Sequence, residues 1–455
     1  MTIPSREQER RHELERFRRE LYRTFSSWGD ALFELLDAVL CAPSPVASVP
    51  ALSLEPVFRR SHGSLYKALE RGHIDEDRLR LLLVANRPTD WPLVFAVDAS
   101  TWDRCDAECS PERGYYYSAS KHSARQPIVA GWNYQWICQL DWASDSWTAP
   151  LDVLRITPFV DPVTATVEQI RRLVGLLADE GEVPLFVFDA GYDPIAIGHE
   201  LADVRCEVLT RIRDDRVFYG DPPPRPNRPF ETGGRPRRHG KRFKCSDRRT
   251  WRKPDDSLVA SDSRYGTVRV QAWHGLHPRL WRRAHWAGFA APPIVKGSVI
   301  RVEVEHLPHP TSRSKRTLWL FWSGPGEADL DRCWRSYLRR FDIEHTFRFM
   351  KGTLGWTTPS LCTPDQADRW SWLIAAIYTQ LRIARALVDD LRLPWERPRD
   401  PAQLTPTRVR RGFRRLRATI GTPASPPKST TPGPGRPKGT RKPPRKRYPA
   451  VKRTA

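Results

Sequence analysis

The sequence predicts a mixed α/β fold with helices on both faces of a sheet, and three features carry that expectation. The strand-like runs PLVFAVDAS (92–100), QPIVAGWNYQWICQL (126–140) and SWTAPLDVLRI (146–156) follow one another with short turns, as in an antiparallel meander. The near-continuous apolar run VPLFVFDAGYD (183–193) lies between two helical patterns, TATVEQIRRLVGLLADEG and PIAIGHELADV, as expected of a strand covered on both faces. The chain of 455 residues is long enough to bury a sizeable core.

Taken in order, residues 5–40 read as two helices, the first charged and the second amphipathic. The prolines of CAPSPVASVPALSLEP end that pattern. SLYKALERGHIDEDRLRLLLV (64–84) reads as two short helices meeting at Gly72, a helix-turn-helix shape that many hairpins share without touching DNA. The meander and the strand CEVLTRI follow. Residues 214–315 are first Pro- and Arg-rich and then alternate as strands (YGTVRVQAWHGL, GSVIRVEVEHL), which marks a β-rich insertion. TLWLFWSG (317–324) returns the chain to the main sheet, and helices over 327–353 and 363–391 close it. Beyond 393 the chain is rich in Pro, Lys and Arg and poor in large apolar residues, so most of 421–455 is expected to be disordered. The resulting division is a helical DNA-binding or assembly region (1–90), a first core part (91–213), the insertion (214–315), a second core part (316–392) and a largely disordered basic tail (393–455).

The formal charge is +22, and it is concentrated. Residues 401–455 hold 16 Lys and Arg and no acid, and residues 211–253 hold 15 against 5 acids, so the rest of the chain is close to neutral. A neutral body with two basic segments suits a protein that grips a polyanion at defined places. The eight cysteines form no paired CxxC and read as reduced thiols. With a charged N-terminus and no membrane-length apolar run, the expected protein is soluble, cytoplasmic and nucleoid-associated.

Two acids stand out because a buried carboxylate is costly unless something holds it. Asp98 follows VFAV inside a strand, and Asp189 ends the apolar run LFVF. Asp193, before Pro194, reads instead as a helix cap. In YLRRFDIEHTFRFMK (337–351), taken as one continuous helix at about 100° per residue, Tyr337, Arg340, Glu344 and Lys351 share an arc of about 60°. Asp342 points about 140° away and is expected to matter little. Wheel geometry alone leaves a phosphate-contacting face and an Arg340–Glu344 surface pair equally open.

The spacing of Tyr337, Arg340, Glu344 and Lys351 resembles the YREK signature of bacterial DDE transposases of the insertion-sequence four and seven-hundred-one groups. Asp98 in FAVDAS and Asp189 in FVFDAGYD match the two upstream acids of that family in order and context. The resemblance implies a ribonuclease-H-like core, a mixed five-stranded sheet interrupted by a β-rich insertion. It further implies that Asp98, Asp189 and Glu344 are the catalytic, metal-binding residues, holding two Mg²⁺ ions for which Mn²⁺ can substitute. Tyr337, Arg340 and Lys351 would hold backbone phosphates. The implied activity is cleavage at transposon ends and strand transfer into target double-stranded DNA by a homodimer. Trp322 is a candidate stacking partner for a flipped base, although strand tryptophans are usually core. GGRPRR and GPGRPKG contain the GRP core of AT-hooks, which makes Arg235, Arg237, Arg238, Arg436 and Lys438 candidate DNA contacts. A nuclease without strand transfer and a non-catalytic DNA-binding descendant remain the alternatives.

Overall fold

A computed structural model describes residues 6–118, 127–143, 145–177, 181–223, 237–308, 310, 315–429, 437, 439 and 444–452. The chain forms two compact units, one built from 1–92, 98–160 and 342–454, the other from 93–97 and 161–341. The elements begin with α1 (Arg6–Arg23), β1 (Phe25–Ser27), α2 (Gly29–Cys41), α3 (Val49–Leu52), α4 (His62–Arg71), β2 (His73–Ile74) and α5 (Glu76–Ala85). They continue with β3 (Val94–Asp103), β4 (Gly114–Tyr117), β5 (Ile128–Leu140), β6 (Thr148–Ile156), α6 (Pro162–Leu176), β7 (Leu185–Phe188), α7 (Pro194–Glu200) and β8 (Glu207–Ile212). Next come β9 (Val217–Tyr219), β10 (Arg242–Lys244), β11 (Asp256–Asp262), β12 (Gly266–Pro278), β13 (Gly297–Val304) and β14 (Thr317–Ser323). Four helices complete the chain: α8 (Leu330–Arg339), α9 (Asp342–Gly352), α10 (Pro364–Ala384) and α11 (Pro406–Ile420).

In the first unit β5 lies between β3 and β4, and β6 pairs along β5. The helical core forms around α2 and α10, which are apolar on nearly every side and buried accordingly. One buried charge group ties it together: Arg18 on α1 donates to Asp37 and to Gln380, each at 2.8 Å. The turn between α4 and α5 requires its glycine, because a Cβ at Gly72 would sit 2.3 Å from the Ala68 carbonyl oxygen.

In the second unit the strand order is β10-β9-β12-β13-β14-β8-β7, with the first half of β3 beside β7. β7 runs parallel to β3 and β8, and the other pairs are antiparallel. Strand β13 of the insertion pairs residue for residue with β14. The insertion residues Phe243 and Trp273 pack with Trp319 and Phe321 of β14 into one cluster that anchors the basic segment.

Two further expectations are corrected. The helix expected over 327–353 breaks at Arg340 and Phe341, giving α8 and α9, which belong to different units. With Tyr337 at zero, the buried residues Leu330, Cys333 and Trp334 lie within about 60° of it, whereas Asp342, Ile343, Thr346 and Met350 lie about 120° or more away. A straight helix would turn one of these stripes to solvent, and the break lets each be buried. The expected common arc of four residues is therefore not realised. Asp342, expected to point outward, is only 5% exposed.

The basic tail also holds more structure than its composition suggested. α11 buries Val409, Phe413 and Leu416, and Arg410 donates to the Val39 carbonyl at 2.9 Å. Spaced four and three apart, these apolar residues form a core-facing stripe within an Arg-rich stretch. Further on, the Tyr448 amide donates to Glu108 and that of Val451 to Arg113, at 2.8 and 2.7 Å.

Candidate active site

In the second unit the pairing of β3 with β7 is parallel, and its last register partners are Val97 and Phe188. The next residue of each strand is an aspartate, Asp98 and Asp189. Both strands are buried up to that point, and both aspartates are half-buried. Asp189 follows the end of β7, where α/β sheets present functional groups, whereas Asp98 lies within β3 at the point where its ladder with β7 stops. Asp193, four residues on, caps α7 as expected, accepting from the amides of Ile195 and Ala196 at 3.0 and 3.2 Å.

Asp189 lines a cleft of about 450 Å³ together with Arg211, Arg213, Lys315 and the wall residue Trp319. Tyr337, at the end of α8, is 8% exposed. Burial raises its phenol above the usual range; Arg340 and Arg211 oppose that rise and Asp189 adds to it. The Arg340 guanidinium lies 5.9 Å from the Tyr337 ring centroid. The cleft lining also includes Asp214, which is bonded to Lys315, and Asp215, so the second unit gathers three acids, one buried phenol and the arginines Arg211, Arg213 and Arg340. Arg211 was missed by sequence reasoning. An exposed arginine near the end of a strand carries no signal by itself, and only the strand order that sets β8 beside β7 brings it to the acid.

In the first unit Asp98 accepts from the Ala99 amide at 2.8 Å, and its charge helps burial push the Cys138 thiol on β5 upward. α9 packs over the sheet through Phe347 against Trp136, with centroids 6.4 Å apart, and through Thr346 to Thr148 at 2.8 Å. Half-buried Glu344 and Lys351 flank Phe347, and the three share about 60° of the helix. Lys351 Nζ donates to the Thr101 carbonyl on β3 at 3.0 Å, which ties this face of α9 to the strand that carries Asp98. Burial pulls the Lys351 amine down to about 8.

Among the other candidates, Arg235, Arg436 and Lys438 lie outside the described residues. Arg237 is exposed, and Arg238 donates to the Pro292 carbonyl. Trp322 is 4% exposed and belongs to the core. Among the described residues no group of three or more His, Cys, Asp or Glu side chains is placed to hold a metal ion. No helix among them is long and apolar enough to cross a membrane.

The family model for DDE superfamily endonucleases matches residues 16–279, more than half of the chain. The chain belongs to the DDE superfamily endonucleases. The matched part of the endonuclease contains Asp98 and Asp189 and stops short of Tyr337, Arg340, Glu344 and Lys351. No curated protein matches the chain. Membership of the DDE superfamily carries DNA as substrate, nuclease- or transposase-type chemistry and a general use of divalent metal ions. The mixed α/β sheet with its helices agrees with such a fold.

Proposed function

We propose that this endonuclease is a cut-and-paste DNA transposase of the YREK type with a ribonuclease-H-like core, acting on transposon ends as a homodimer. The observation that carries this reading is the parallel pair whose last partners, Val97 and Phe188, are each followed by an aspartate within the family-matched segment. Asp98, Asp189 and Glu344 are the residues that would hold Mg²⁺, since each offers half-buried carboxylate oxygens, the donor type that suits a hard cation. When bound, the ions supply an activated water and charge neutralisation at the leaving oxygen.

The chain's own side chains position the DNA. Tyr337, kept protonated by burial, donates a hydrogen bond to a phosphate oxygen, and Arg340 and Arg211 hold the backbone from the same side. Lys351, anchored on Thr101, provides a point charge from the face that carries Glu344. In the first reaction water attacks a phosphodiester, leaving a 3′-hydroxyl and a 5′-phosphate. In the second, that hydroxyl attacks a phosphodiester of target DNA and expels another 3′-oxygen, so bonds are exchanged without an external energy source.

The test is strand cleavage and joining on an inverted-repeat duplex with Mg²⁺, comparing wild type with Asp98→Ala, Asp189→Ala and Glu344→Ala. Each variant is expected to lose at least a hundredfold in cleavage, on the order of a lost catalytic group. A variant that cuts at the wild-type rate removes that residue from the site. Cutting without joining would reduce the activity to a nuclease.

A further inference from the structure

A groove of about 660 Å³ on the second unit runs beside β11 and β12. Arg248, Arg252, Lys253 and Arg269 line it with exposed side chains, and Arg301 with a half-buried one. The one acid in its lining, Glu303, is bonded to Arg301 at 2.8 Å. Arg252 is bonded to Asp255, but among the described residues Arg248 and Lys253 form no ion pair. Cations crowded around one groove repel each other unless a polyanion joins them.

The groove also has a fixed floor. Trp251 donates its indole N–H to the Lys244 carbonyl at 2.8 Å, and the Arg301 guanidinium lies 5.6 Å from its ring. Trp251 also meets Trp319 edge to face, with centroids 5.2 Å apart. Trp319 also lines the Asp189 cleft, so the cationic groove and the acid-bearing cleft are connected through one contact between two aromatic rings.

We propose that this groove holds the phosphate backbone of the DNA a few nucleotides from the phosphate presented to Asp189. The proposal rests on the DNA-cleavage reading and extends it to residues outside the acid cleft. It requires no base readout: arginines and a lysine over an aromatic floor track a backbone whatever its sequence.

The experiment measures binding of the full-length chain to a fluorescent duplex by anisotropy across a series of NaCl concentrations. Arg248→Ala/Lys253→Ala/Arg269→Ala is expected to lower the slope of log K against log salt by about 2 to 3, since each lost phosphate contact removes about 0.9. Lys253→Ala alone is expected to lower it by about 1, which covers a triple variant that melts early. Arg249→Ala, an exposed arginine bonded to Asp247 at 3.0 Å outside the groove, is expected to leave the slope unchanged. A wild-type slope in the groove variants, or an equal loss in Arg249→Ala, overturns the groove. Failure of the wild type itself to bind duplex DNA would instead overturn the functional reading.

Discussion

Lys351→Met separates what the amine costs the fold from what it gives to DNA. The amine is held at about 8 against an ordinary 10.5, by burial alone. At pH 7 the folded state therefore carries a charge it disfavours, at a cost of about 3 kcal/mol to order of magnitude. Methionine keeps the length of the stem and removes the charge. It also gives up the bond to the Thr101 carbonyl and the contact with Trp356, 5.7 Å away, together about 1.5 kcal/mol. The balance is a variant stabilised by about 1 to 2 kcal/mol at pH 7, or a few degrees in Tm. The sign with pH follows from the depressed amine. The unfolded chain holds the proton up to about 10.5 and the folded chain only up to about 8, so wild-type stability rises through that window and the advantage of the variant vanishes. Melting curves at pH 7 and 10.5, with DNA affinity at pH 7, check this. The same variant should bind duplex DNA more weakly. A variant that is less stable at pH 7, or whose stability difference is the same at both pH values, would refute the reasoning.

Other expectations follow from burial. Phe347→Ala, in a side chain 8% exposed against Trp136 and Trp356, should cost about 3 kcal/mol in a melting experiment, whereas Phe341→Ala, 43% exposed at the helix break, should cost under about 0.5. Asp342→Ala should lower Tm by a few degrees, because it removes a 5% exposed acid from the first turn of α9, where the helix N-terminus favours a negative charge, and this reverses the indifference inferred from the helical wheel. Phe413→Ala should destabilise by about 3 kcal/mol if α11 is part of the core, and an unchanged Tm would return that segment to a tail.

Much of this was legible because burial writes itself into pattern. The strands that carry Asp98 and Asp189 announced themselves as apolar runs ended by an acid, and the helix cap at Asp193 followed from the proline beside it. α11 was hidden because its six arginines and a glycine lower its mean hydropathy while the large apolar residues it buries are only Val409, Phe413 and Leu416; composition averaged over the tail conceals a stripe. The helix break was readable too, had the apolar residues been placed on the wheel along with the charged ones. Arg211 needed tertiary knowledge, since only strand order sets β8 beside β7.

The two residues Arg340 and Phe341 work as a phase shifter. Two positions correspond to about 200° of helical rotation, the offset between the stripes on either side. For the fold, their number should therefore matter more than the identity of Phe341, which is 43% exposed. Removing both would bring the stripes into register and favour one long rod that could serve only one unit. A single inserted residue would swing Glu344 by about 100° relative to α8. For this chain, length variation at 340–341 is the change that the candidate site should tolerate least.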